Sequence, residues 1–195
     1  GVIAISNAIP TMGAMTSLNV GDNGIPIENM SEIIAIVEAK PAMKVLCGVP
    51  FLDKTITEMD VSGQNLGVEG SLVIRRYLEN NGALVKFDIS NNNVCAAGGK
   101  ALAAALNGNQ VMTELNLAGN SLGLVKQYGK ADMSGVMDIA NTIPTMGAMT
   151  SLNLSENLML TKEAGRAIGD VLKANSVLKE LDVSGNYNRM AGLTD

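Results

Sequence analysis

The sequence predicts an α/β fold of the stacked-repeat kind, a right-handed solenoid with short parallel strands lining its hollow and helices outside, and three observations carry that prediction. The segment Ile9–Asn19, IPTMGAMTSLN, recurs letter for letter at Ile143–Asn153. A looser pattern, LxxLxLxxNxL, is written from Met15, Ile56, Leu84, Met112, Met149 and Leu178. The period is near 28 residues, too few for a unit to bury its own apolar face, so stacked neighbours must complete one core.

Within LxxLxL the apolar residues alternate with polar ones, as in a strand with one face in the core. Seven strands are expected, starting near Met15, Met43, Ile56, Leu84, Met112, Met149 and Leu178, at steps of 28, 13, 28, 28, 37 and 29 residues. Each connection returns the chain to the same end, so the strands are parallel and need a crossover of about a dozen residues. Helices supply it. Ser71–Asn80 puts Leu72, Val73, Tyr77 and Leu78 on one stripe, and the next unit does the same with Ala101, Leu102, Ala105 and Leu106. A glycine precedes the strand by 14 residues at Gly1, Gly70, Gly98 and Gly135, where close backbone approach or positive φ is expected.

Two steps depart from the period. The 13-residue unit 43–55 is too short for a helix and must cross through an extended link containing Pro50. Its Cys47 falls at an outward strand position. The 37-residue unit carries an insertion at about 125–133, expected to protrude from the rim with Lys126, Tyr128 and Lys130.

The ninth position of the pattern is Asn23, Asn92, Asn120, Asn157 and Asn186, with Gln64 in the unit from Ile56. An amide both donates and accepts, so this series is expected to be a structural ladder that satisfies turn backbone between stacked units. Period and helical return together resemble the ribonuclease-inhibitor-like class of leucine-rich repeats, best in LVKFDISNNNVCAAGGKALAAALNGNQVMTELNLAGN and KEAGRAIGDVLKANSVLKELDVSGN. The resemblance implies a horseshoe with strands concave and helices convex. It implies no single activity, because that architecture hosts inhibitors, receptor arms and a Ran-type GTPase activator alike.

Composition narrows the function. The chain has no histidine, which removes the usual general base and the commonest metal ligand, and it has no phosphate-binding glycine motif. No catalytic residue, cofactor or metal is expected. The 14 basic and 19 acidic residues include no basic run that would track a phosphate backbone, so nucleic acid is not an expected partner. No apolar run reaches membrane length. Cys47 and Cys95 are the only cysteines, where secreted arrays commonly carry disulfide caps, so free thiols and a cytoplasmic location are expected.

What remains is a surface. The outward strand positions form an acidic or amidic column, Asn19, Asp60, Asp88, Asn116, Asn153 and Asp182, flanked by Ser17, Glu58, Lys86, Glu114, Ser151 and Glu180. The expected function is a non-catalytic scaffold that binds a protein through Asp60, Asp88, Asn116, Asn153, Asp182, Glu58 and Glu114, with Lys126, Tyr128 and Lys130 at the rim. Two alternatives stand beside it: a structural or self-associating array, and a GTPase activator using one of Arg75, Arg76, Arg166 or Arg189. Residues 1–195 read as one domain without polar end caps, so Ile3, Ile5 and Ile9 at one end and Leu181 and Val183 at the other are expected to be bare. That predicts a fragment of a longer array or a homodimer through an end.

Overall fold

A computed structural model describes residues 2–125, 130–158 and 161–186, without the side chains of residues 2, 3 and 174. In chain order the elements are α1 (Val2–Ala8), a 3-10 turn (Ile9–Thr11), β1 (Ser17–Leu18), α2 (Ile27–Glu38), β2 (Val45–Leu46), β3 (Glu58–Asp60) and α3 (Gly67–Asn80). There follow β4 (Lys86–Asp88), α4 (Cys95–Leu106), β5 (Glu114–Asn116), α5 (Ser134–Thr142), a second 3-10 turn (Ile143–Thr145), β6 (Ser151–Asn153), α6 (Lys162–Ala174) and β7 (Glu180–Asp182). Every pair of neighbouring strands is parallel. Five strands form one sheet in the order β3-β4-β5-β6-β7, and β1 pairs with β2 separately.

Register explains the core. Met59, Phe87, Leu115, Leu152 and Leu181 stand opposite one another across the five strands, and the first four are buried. Two residues on, Val61, Ile89, Leu117 and Leu154 make a second buried row. The helices close this core from behind, each packed on the next, with Leu72, Val73, Tyr77 and Leu78 from α3 and Leu102 and Leu106 from α4 buried. Leu-type side chains of this size contribute about 1.5–3 kcal/mol each when buried.

Close helix packing sets where glycine is required. A methyl group on Gly98 would lie 2.6 Å from both Ser71 Oγ and Val94 Cγ1, and one on Gly135 would lie 2.7 Å from the Ala96 carbonyl oxygen. Neither glycine has positive φ, so close approach is the reason for both. Positive φ falls instead at the first residue of α3 and α4, Gly67 at 62° and Cys95 at 59°. The N–H groups of those two residues donate to the Asn92 and Asn120 carbonyls, both at 2.9 Å, which joins each helix start to the following unit.

Three expectations need correction. The strands do not form one continuous row, because β2 turns back on itself: Cys47 and Gly48 take φ of 49° and 75°, and Leu46 and Val49 exchange hydrogen bonds as an antiparallel bridge. That reversal buries Cys47 completely rather than pointing it outward, and burial pushes its thiol pKa up. Residues 50–57 then run as turn and extended chain to β3, held by Tyr77, whose hydroxyl donates to the Asp53 carbonyl at 2.9 Å and accepts from Asn81 Nδ2 at 2.5 Å. The third correction is Ile9, which is fully buried against α2.

Candidate interaction surface

The side chains between the core rows face away from the helices. On β3 to β7 the outward positions are Glu58 and Asp60, Lys86 and Asp88, Glu114 and Asn116, Ser151 and Asn153, Glu180 and Asp182, paired in that order across the sheet. Those of β3 to β6 border a shallow groove of about 490 Å³ whose floor includes Met59, Phe87 and Leu115. Lys86 Nζ sits 3.1 Å from Glu114 Oε1 and 3.9 Å from Glu58 Oε1, and the Glu114 contact first of all raises the lysine pKa.

One column has a structural duty that the sequence reading missed. Asn19, Asp60, Asp88, Asn116, Asn153 and Asp182 each accept, through Oδ1, the backbone N–H two residues on, at 2.8 to 3.1 Å. The available signal was an Asn or Asp followed two positions later by Gly, Ser or Ala, the composition of an Asx turn. The bonds from the Ser62 and Ser184 backbones and hydroxyls hold the Asp60 and Asp182 carboxyls below the usual carboxylate range. Only one oxygen is committed in this way. On the other, Asp88 Oδ2 accepts from Asn116 Nδ2 at 2.8 Å.

Asparagine and aspartate serve this turn equally well, so the fold does not dictate the charge at each strand. The outward positions of β3 to β7 nevertheless carry six carboxylates, Glu58, Asp60, Asp88, Glu114, Glu180 and Asp182, against Lys86 alone. Removing those six from 19 acidic residues, and Lys86 from 14 basic ones, leaves 13 of each. The net charge of −5 therefore equals the charge of this one face.

The ninth-position asparagines lie behind the turn, inside the fold. Asn92, Asn120 and Asn157 are fully buried. Asn120 Nδ2 donates to the Ile89, Leu117 and Ala118 carbonyls at 2.9, 3.1 and 3.3 Å, and its Oδ1 accepts from the Asn92 and Val94 N–H groups at 2.9 and 3.4 Å. Asn92 and Asn157 make the same set one unit to either side, and Asn186 Oδ1 accepts from the Asn157 N–H at 2.7 Å. Asn23, at the near end, is exposed and donates within its own turn to Val20 and Gly21. A second turn series also escaped the sequence reading: buried Asn81 and half-buried Asn109 and Asn175 each accept two N–H groups where a helix returns to a strand.

Of the expected rim residues, Lys126 and Tyr128 lie outside the described residues, and Lys130 is exposed. The base of the insertion is tied by an antiparallel bridge between Leu124 and Ala131 and by the Val125 N–H donating to the Lys130 carbonyl at 2.9 Å. Val125 and Asp132 from that base line an apolar hollow of about 280 Å³ with Ile25, Ile27, Val68 and Ala96. Among the arginines considered for a GTPase activator, Arg75 is bonded to Glu79 and Arg76 to Glu38, while Arg189 is outside the described residues. Arg166 is exposed. Among the described residues no group of three His, Cys, Asp or Glu could hold a metal ion, and no helix is long and apolar enough to cross a membrane.

No family model and no curated protein matches the chain. Solved structures similar to it include the tropomodulin C-terminal domain of Caenorhabditis elegans, at 10% identity and a TM-score of 0.45, covering 89% of this chain and 92% of that one. Another is leiomodin-1 actin-binding site 2, at 16% identity and a TM-score of 0.44, covering 87% of this chain and 86% of that one.

Proposed function

We propose that this chain is a non-catalytic protein-binding scaffold, a leucine-rich-repeat solenoid of the ribonuclease-inhibitor-like class whose open strand face receives a basic, extended segment of a partner. The observation that carries this reading is the charge of the face: Asp stands at 60, 88 and 182 where Asn, as at 116 and 153, would serve the turn without a charge. Carboxylates beyond structural need, gathered beside a polar groove, suit lysine or arginine side chains and steer them from a distance. Lys126, Tyr128 and Lys130 of the insertion are proposed as rim contacts, since loops on a rigid scaffold commonly carry recognition. The two buried cysteines fit a reducing, cytoplasmic setting.

The test replaces Asp60, Asp88 and Asp182 together by Asn, which keeps every Oδ1 turn bond and removes three charges. A fluorescein-labelled peptide alternating lysine with serine serves as probe, titrated by anisotropy at low and physiological salt. At about 0.2–1 kcal/mol for each exposed pair, the triple variant should bind about 3- to 150-fold more weakly, and salt should weaken the parent more than the variant. Equal binding by parent and variant would move recognition off this face.

A further inference from the structure

The outward strand positions on β3 to β5 form two rows that differ in how their charges are met. In the first row Glu58, Lys86 and Glu114 stand opposite one another on adjacent strands. The Lys86 ammonium lies between the two glutamates, 3.1 Å from Glu114 Oε1 and 3.9 Å from Glu58 Oε1. In the second row, two residues on, Asp60 and Asp88 stand opposite each other, and among the described residues neither is paired with a cation. Adjacent strands lie about 4.8 Å apart and alternate residues about 7 Å, so one extended segment can touch both rows. Both border the same groove.

The fold does not ask for a lysine at position 86. The same register position is Glu58 on β3, Glu114 on β5 and Ser151 on β6, and all four strands pair alike. The side chains of Lys86, Glu58 and Glu114 are well exposed, and ion pairs in that setting contribute little to stability. What the three residues change is the surface. A basic side chain that arrives at Glu58 or Glu114 must share a carboxylate already beside an ammonium, and it meets that ammonium's repulsion. One that arrives at Asp60 or Asp88 meets two like charges set side by side, an unfavourable pair that an added cation relieves.

Resting on the reading of the strand face as a seat for a basic segment, we propose that Lys86 is its specificity-determining residue: it withholds Glu58 and Glu114 from the partner and turns basic side chains to the row of Asp60 and Asp88. A partner whose basic residues are sparse enough to use the second row alone meets no repulsion. A densely basic segment brings extra cations to the first row, where Lys86 opposes them. Loss of the lysine charge opens both rows and removes that discrimination.

Lys86→Ser installs the residue that β6 carries at this position. It should bind the labelled lysine–serine peptide about 2- to 10-fold more tightly than the parent does, with a steeper loss on adding salt. Lys86→Gln, close to lysine in length, must move in the same direction. Lys100→Gln removes the same charge from the exposed side of α4 and should leave affinity within about 1.5-fold of the parent's. A double-mutant cycle separates withholding from plain repulsion, since Glu114→Gln should weaken binding more in the Lys86→Ser background than in the parent. Unchanged or weaker binding by Lys86→Ser, equal tightening by Lys100→Gln, or a purely additive cycle would each overturn the role of Lys86, while weakening by the Asp60, Asp88 and Asp182 triple variant would leave the strand-face reading in place. A parent that does not bind the peptide would overturn that reading, and the role of Lys86 with it.

Discussion

Truncating Asn120 to alanine tests the asparagine series where its energetics can be followed atom by atom. The three carbonyls that Nδ2 reaches all keep another donor: Ile89 O accepts from Asn92 Nδ2, Leu117 O from Asn157 Nδ2, and Ala118 O from the Asn91 N–H. The loss therefore concentrates on the acceptor side. Oδ1 takes the Asn92 N–H at 2.9 Å and the Val94 N–H at 3.4 Å, and both residues are buried. One well-made bond to a buried amide, with the donor left unsatisfied, costs about 1–3 kcal/mol, and the long second bond adds little. Asn153→Ala is the matched control, since its half-buried side chain makes a single Oδ1 bond, to the Ser155 N–H, and its loss should cost about 0.5–1.5 kcal/mol. Urea unfolding followed by far-UV circular dichroism suits a chain without tryptophan. An Asn120→Ala midpoint equal to the parent's, or above that of Asn153→Ala, would refute the claim that the buried amides depend on this side chain.

Gly135→Ala should destabilise by about 1–3 kcal/mol in a thermal melt, because the new methyl meets the Ala96 backbone and cannot be accommodated by a rotamer change. Helix propensity alone predicts the opposite sign, about 1 kcal/mol of stabilisation, so the direction of the shift decides. Tyr77→Phe removes the hydroxyl that joins α3 to the short link at Asp53 and should lower stability by about 0.5–1.5 kcal/mol; no change would mean that the link is held by packing alone. The depressed Asp60 pKa contributes stability that is present above the ordinary carboxylate value and lost as pH falls through the folded value. In Ser62→Ala the carboxyl keeps the backbone bond and loses the hydroxyl, so its NMR titration midpoint should rise toward the ordinary value; an unmoved midpoint would assign the whole shift to the backbone.

Strand positions and the ninth-position asparagines were legible because both obey a fixed spacing. The LxxLxL alternation can place Met59, Phe87 and Leu115 in a core only as strand residues, and Asn92 and Asn120 follow at constant offsets. The break at β2 was not legible. MKVLCGV carries the apolar spacing of its siblings, with Met43 and Leu46 buried as the pattern requires, but Cys47 and Gly48 both turn to positive φ. Cysteine gives no hint of that conformation. The Asx column reads in the sequence as surface chemistry alone, because a side chain that faces solvent and also fixes its own turn has two roles at one spacing. The burial of Ile9 is not legible because repeat spacing speaks only of stacked neighbours and not of α2, which packs on it from the other side.

Within the eleven repeated letters Ile9 and Ile143 are both buried, whereas Met12 is exposed and Met146 buried, so a position of the pattern is core or surface according to what packs on it. The carboxylates of the strand face fall in two stretches, Glu58, Asp60, Asp88 and Glu114 on β3 to β5 and Glu180 and Asp182 on β7, separated by neutral β6. A partner with two basic segments would then gain by multivalency what one shallow groove cannot supply. Peptides carrying one and two basic segments test this: Glu180→Gln with Asp182→Asn should bind the single-segment peptide as the parent does and lose the parent's preference for the longer one.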